Sequence, residues 1–161
     1  MTNKIQIGDI IEMPLPNGSK AYAQFVKKDK WGDVVIIYDL FTAKGDTVSV
    51  NDVIKRNVLI GPVITRIKVG IDNSQFNWKV LAKSDIPKFE SINFIWKEGG
   101  YGAKNIKTKW YLYNGIENKM IGERLPQEYK SFEYLVSYSP GALVDRIIGN
   151  DYLERELIKN G

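Results

Sequence analysis

Residues 7–26, IGDIIEMPLPNGSKAYAQFV, decide how the chain begins to fold. Ile7, Ile10, Ile11 and Met13 precede Pro14-Leu15-Pro16-Asn17-Gly18, and a Tyr22/Gln24/Val26 set alternating with Ala21/Ala23/Phe25 follows it. Asn and Gly accept the positive φ that a tight reversal demands, so Asn17-Gly18 is read as a hairpin turn. The prolines fit a strand end where no ladder donor is needed. Gly8-Asp9 suits a turn before the first strand. Residues 34–41, VVIIYDLF, are apolar on successive positions and rich in β-branched types. That pattern predicts a third, central strand covered on both faces. Lys44-Gly45-Asp46 then turns the chain.

Further along, Ser49-Val50-Asn51-Asp52 before Val53-Ile54 predicts one short helical turn, with Ser49 or Asn51 accepting a free backbone N–H. Strands are predicted over residues 63–69, 77–82, 92–97 and 109–113, separated by Asp72-Asn73-Ser74, Ile86-Pro87, Gly99-Gly100 and Asn114-Gly115. After Leu125-Pro126 the apolar period becomes helical: Ser139 caps, Pro140 takes the first helical position, and Leu143/Ile147 and Val144/Ile148 pair four apart. Asp145 and Arg146 on this helix read as exposed charges. Gly149 ends it, and Asn150 or Asp151 caps a second helix carrying Leu153 and Leu157. The fold class is therefore α+β: mainly antiparallel β, as a twisted sheet or partly open barrel, with one or two C-terminal helices. No repeat or low-complexity linker divides it. The expectation is one domain over residues 1–161, mainly β to about residue 125 and helical from about 139.

With 161 residues, 43% of them hydrophobic, the chain is too apolar for a disordered segment and long enough to bury a core. Its longest apolar run, Val34-Val35-Ile36-Ile37-Tyr38, is far below the roughly 20 residues of a membrane helix. The start, Met1-Thr2-Asn3-Lys4-Ile5, has no apolar stretch behind it, so no secretory leader and a cytoplasmic location are expected. There is no histidine and no cysteine. Zinc, copper and haem sites of the usual kind, thiol chemistry, a Ser-His-Asp triad and disulfides are thereby excluded. The 19 acidic residues are scattered, and nothing in the order of residues makes Asp9 with Glu12, or Asp33 with Asp39, converge as a catalytic pair. No enzyme, cofactor or metal is expected.

Net charge is +4 and uneven: 17 basic against 11 acidic residues up to Trp110, and 6 against 8 beyond it. A cationic domain raises nucleic acid as a partner, through counterion release. Ile, Lys and Asn, the types favoured by A/T-rich codons, make up 50 residues, and arginines number five, so base-reading side chains are scarce. Two segments join cations with rings. Lys27, Lys28 and Lys30 with Trp31 lie between two predicted strands, and an indole in a polar loop is the kind of anchor that carries interface energy. Tyr101, Lys104 and Lys107 follow Gly99-Gly100, a glycine-rich run that lacks the Gly-Lys-Ser/Thr ending of a phosphate loop. These seven residues are the candidate partner contacts. Trp78, Trp96 and Trp110 lie in strand-like stretches and read as core or sheet-face residues.

In order, IGDIIEMPLPNGSKAYAQFV, VVIIYDLF, WKVLAKSDIP, WYLYNG and SYSPGALVDRI resemble the Immunity protein 26 family of bacterial polymorphic-toxin systems. The most specific piece is the first: Gly8-Asp9, Pro14-Leu15-Pro16, Gly18 and Ala21-Tyr22-Ala23. Gln24 departs from the family pattern, where glycine commonly follows the Tyr-Ala pair. The resemblance implies an antitoxin-like, non-catalytic protein that binds and neutralises a cognate toxin in the cytoplasm. The residues that carry it read as turns and core and do not locate the toxin-binding face. The rival reading, ranked second, is a nucleic-acid-binding β domain using its basic, aromatic-bearing loops.

Overall fold

The predicted hairpin forms as β1 (Asp9–Pro14) and β2 (Lys20–Asp29), paired antiparallel with Ile11 opposite Ala23 and Pro14 opposite Lys20. Gly18 sits at φ +87° as the sequence predicts, whereas Asn17 keeps a negative φ and serves the turn through its side chain, its Oδ1 accepting the Ser19 N–H at 2.9 Å. The Gly8 turn is also as expected, with Gly8 at φ +100° and Asp9 Oδ2 accepting the Gln6 N–H at 2.8 Å. This computed structural model describes residues 4–89, 91–99 and 109–149.

Strand β3 (Gly32–Tyr38) pairs β2 on one side and β4 (Val58–Thr65) on the other, and residues 34–38 are all buried. Its continuous apolar run is explained by that central place. In β4, Gly61 and Pro62, joined by a cis bond, stand opposite the single residue Ile36. Gly61 has φ +114°, and a Cβ on it would lie 2.9 Å from the Val35 carbonyl, so only glycine fits there. Helix α1 (Val50–Ile54) carries a reciprocal capping box between Ser49 and Asp52.

After Thr65 the chain departs from expectation. Residues 63–69 read as one strand, but the strand ends and α2 (Ile67–Asp72) begins. The alternation Ile67/Lys68/Val69 suits either period over so short a stretch. Burial decides: Ile67 and Gly70, three apart, both face inward, and Gly70 packs on the Trp78 indole. Strand β5 (Lys79–Lys83) then lies beside β1.

Among the described residues there are ten strands in two mostly antiparallel sheets. β6 (Phe94–Lys97), β7 (Trp110–Tyr113) and β8 (Asn118–Gly122) form an antiparallel set. The two-residue strands β9 (Glu133–Tyr134) and β10 (Ser137–Tyr138) pair parallel with β6 and β4. Sheet orders are β10-β4-β3-β2-β1-β5 and β8-β7-β6-β9, neither closed into a barrel. Helix α3 (Pro140–Ile147) starts where predicted, with Ser139 Oγ accepting the Ala142 N–H. The second C-terminal helix expected from Asn150 falls outside the described residues. None of the described helices is long and apolar enough to cross a membrane.

Two compact units result. In the first, residues up to Lys88 together with Ser137–Ile148, one face of the large sheet (Ile11, Met13, Ala23, Phe25, Val35, Ile37) packs with Trp78 and with Leu143, Val144 and Ile147 of α3. In the second, within Phe89–Val136, Ile95, Trp110, Leu125 and Tyr134 form the core.

Arg146 corrects the reading of α3 as carrying exposed charges. It is 6% exposed, lies over the Tyr138 ring with Cζ 5.7 Å from the centroid, and donates from Nη1 to the Tyr138 hydroxyl at 2.9 Å. Asp145 is exposed. The ring and the hydroxyl give the guanidinium a partner at Nη1, though its Nε is buried without one, and the stem fills apolar space on the helix face that packs inward.

Candidate functional site

The β2–β3 hairpin ends in a two-residue tip, Lys30-Trp31, between Asp29 and Gly32, which are register partners. Gly32 has φ +143°, and a Cβ there would meet the Thr65 carbonyl at 2.8 Å. The close approach of β4 therefore requires glycine at this position. The Trp31 N–H donates to Asp29 Oδ2 at 3.1 Å, which ties the tip. Trp31 is 49% exposed, with Lys30 Nζ 5.7 Å from its ring centroid. Exposure of half an indole on a pinned turn matches an anchor that is organised before it meets a partner.

Opposite the hairpin lies α2. Its cap residue, Arg66, makes no capping hydrogen bond of its own. Asp33 supplies it from the hairpin instead: its Oδ2 accepts the Ile67 N–H at 3.0 Å. One carboxylate thus joins the two elements, and an anion at a helix start also opposes the peptide dipoles favourably. Between them runs a groove of about 960 Å³, open to solvent, lined by residues 28–33 and by Arg66, Lys68, Val69, Asp72, Asn73 and Ser74.

Four cations and three carboxylates line it, and the carboxylates are engaged. Asp33 holds the α2 amide, Asp72 pairs with Lys68 at 3.4 Å, and Asp29 holds the Trp31 amide. The side chains of Lys28 and Arg66, both exposed residues, have neither a hydrogen bond nor an ion pair among the described residues. Val69 is 46% exposed and adds an apolar surface to that of Trp31. The arrangement presents an indole, the Val69 methyls and one more positive than negative charge.

Of the seven candidates read from sequence, Lys28, Lys30 and Trp31 line this groove. Lys27 sits on β2, half-buried opposite Val34, and does not line it. Tyr101, Lys104 and Lys107 lie outside the described residues. The base of their connection is described: the Glu98 N–H donates to the Lys109 carbonyl at 3.1 Å. The α2 side of the groove was missed, because a helix capped by an aspartate 34 residues earlier carries no local start signal. Gly70 followed by Asp72-Asn73-Ser74 was the one available hint of a break in the strand.

The other tryptophans are structural, as read. Trp78 and Trp110 are buried. Trp96 stacks on its cross-strand partner Tyr111 with centroids 4.3 Å apart, and its Nε1–H donates to Asn118 Oδ1. The Tyr111 hydroxyl donates to Glu98 Oε1 at 2.6 Å, holding that carboxyl below the usual carboxylate range, while the same bond pushes the Tyr111 phenol up. This pair is committed to its own sheet.

Carboxylates that might suggest catalysis are likewise occupied. Glu12 pairs with Lys20 at 3.1 Å, and Asp9 closes the turn at Gly8. Among the described residues no three acidic groups gather where they would hold a metal ion. No protein-family model, no curated protein and no solved structure matches this chain.

Proposed function

We propose that this chain is a non-catalytic immunity protein that binds a cognate bacterial toxin in the cytoplasm and blocks it, with the groove between the β2–β3 tip and α2 as its contact face. The observation that carries the reading is the half-exposed Trp31 on a hydrogen-bonded turn, beside Val69 and two exposed cations that form no ion pair among the described residues. The sequence resemblance to the Immunity protein 26 family supports it from a different direction. Neutralisation by capture asks for a stable scaffold and an anchored interface, since a few buried aromatic and arginine residues carry most of the energy in such contacts.

Co-expression tests it. The chain is produced with the C-terminal domain encoded by the neighbouring upstream open reading frame, and survival and a copurifying complex are scored against that domain alone. Rescue with a stable complex is expected, and Trp31→Ala should weaken the complex at least tenfold, about 1.4 kcal/mol. Toxicity without rescue, or rescue indifferent to Trp31, overturns the assignment.

Four cations around an indole also favour a second reading, single-strand nucleic-acid binding. The three carboxylates in the same groove work against it, because a phosphate backbone would pass them at close range. Binding to an arbitrary oligonucleotide, with log affinity falling linearly in log salt, would establish that reading instead.

A further inference from the structure

The groove's own charges say which partner chemistry it takes. Its carboxylates are engaged by an amide, a lysine and a turn, whereas the side chains of Lys28 and Arg66 are exposed and make neither an ion pair nor a hydrogen bond among the described residues. Beside them Trp31 and Val69 expose apolar surface that is also uncovered. A ligand that matches both features carries carboxylates spaced around an apolar side chain. A guanidinium takes a carboxylate through two parallel hydrogen bonds, and an indole face takes an aliphatic or aromatic group.

We infer that the groove recognises an acidic segment of the partner protein, with a carboxylate held by Arg66 and Lys28 and an apolar side chain seated against Trp31 and Val69. The inference rests on the toxin-binding reading for who the partner is, but its chemistry follows from the groove alone. It also extends the sequence-based contact set to α2, which contributes Arg66 and Val69. An oligonucleotide, the other anionic ligand, matches the cations as well, and the test sets it against the peptide.

The test titrates the full chain, labelled for NMR, with three probes: the peptide acetyl-Asp-Glu-Leu-Asp-Glu-amide, its analogue with lysine at every acidic position, and a twelve-residue oligothymidylate. The acidic peptide should shift the Trp31 indole N–H and the Val69 methyls. Its affinity should fall about fivefold between low and physiological salt. Lys28→Glu and Arg66→Glu, both at exposed positions, should each weaken it by a similar factor while backbone shifts elsewhere stay in place. The basic peptide and the oligonucleotide should leave these signals unmoved. Equal binding of acidic and basic peptides, preference for the oligonucleotide, or acidic-peptide shifts that persist in both charge reversals would overturn the inference. The two tests fail separately. Rescue by co-expression that both charge reversals leave intact refutes the acidic-segment chemistry and spares the toxin reading. Peptide binding without rescue does the opposite.

Discussion

Replacing Gln24 with leucine should destabilise the first unit by about 3 kcal/mol, a figure built from its hydrogen bonds. Gln24 is fully buried. The two N–H groups of its Nε2 are shared among the carbonyls of Gly8 at 3.1 Å, Ser84 at 3.0 Å and Asp85 at 3.2 Å, and its Oε1 accepts from the Tyr38 hydroxyl at 2.5 Å. Leucine fills the same space but supplies none of these. The Gly8 carbonyl keeps a second donor, the Ser84 N–H at 3.0 Å, so its loss is small. The Ser84 and Asp85 carbonyls are partly buried and regain water, each losing about 0.5–1 kcal/mol. Tyr38 is 2% exposed, and its stranded hydroxyl accounts for roughly 1–2 kcal/mol more. Tyr38→Phe removes that hydroxyl and should cost about 1.5 kcal/mol by leaving Gln24 Oε1 unpaired. In the double variant both partners are gone, so the two effects should fall short of additivity by about 1 kcal/mol. Urea denaturation followed by far-UV circular dichroism, with hydrogen exchange at the Ile36 and Ile37 amides to report the first unit, gives all three values. A Gln24→Leu loss below about 0.5 kcal/mol, or strict additivity with Tyr38→Phe, would refute the claim that this amide clamps the Gly8 turn to the end of β5.

Burial pushes the Tyr38 phenol up, so its folded pKa lies above the unfolded value. Its contribution to stability is therefore complete below the unfolded pKa of about 10 and lost as pH rises through the folded one. Denaturation midpoints should fall above pH 10, and less steeply in Tyr38→Phe; identical slopes would remove Tyr38 from the account. Gly70→Ala places a Cβ inside the Trp78 indole and should cost about 3 kcal/mol or more, read from thermal melting and a shifted tryptophan emission, and an unchanged melt would mean the α2 packing is misjudged. Asp33→Ala removes the only side-chain hydrogen bond at the start of α2 among the described residues and should cost about 1 kcal/mol, with faster exchange of the Ile67 amide; an unaltered exchange rate there would contradict the cap. Trp31→Ala should leave stability within about 0.5 kcal/mol while impairing partner capture, and a large stability loss would make Trp31 a folding residue instead of a contact.

Much of the architecture was written locally. The Asn17-Gly18 reversal, the turn at Gly8-Asp9, the Ser49 and Ser139 caps and the buried run of β3 each depend on residues within a few positions of one another, so composition and order determine them. The exposed Trp31 at a hairpin tip was legible for the same reason. What the sequence left open depends on partners far along the chain. Residues 66–69 alternate like a strand, and only the Asp33 carboxylate and the Trp78 ring turn them into α2. Arg146 looked like surface charge until Tyr138, eight residues away on another element, gave it a hydrogen bond and a ring to lie on. Gln24 read only as a member of the β2 alternation and a departure from the family pattern, yet it closes on carbonyls 60 and 61 positions later. The groove belongs to this second class. Half of it was visible as a basic loop, and the other half came into being when one carboxylate on the hairpin capped a helix that local preference did not specify.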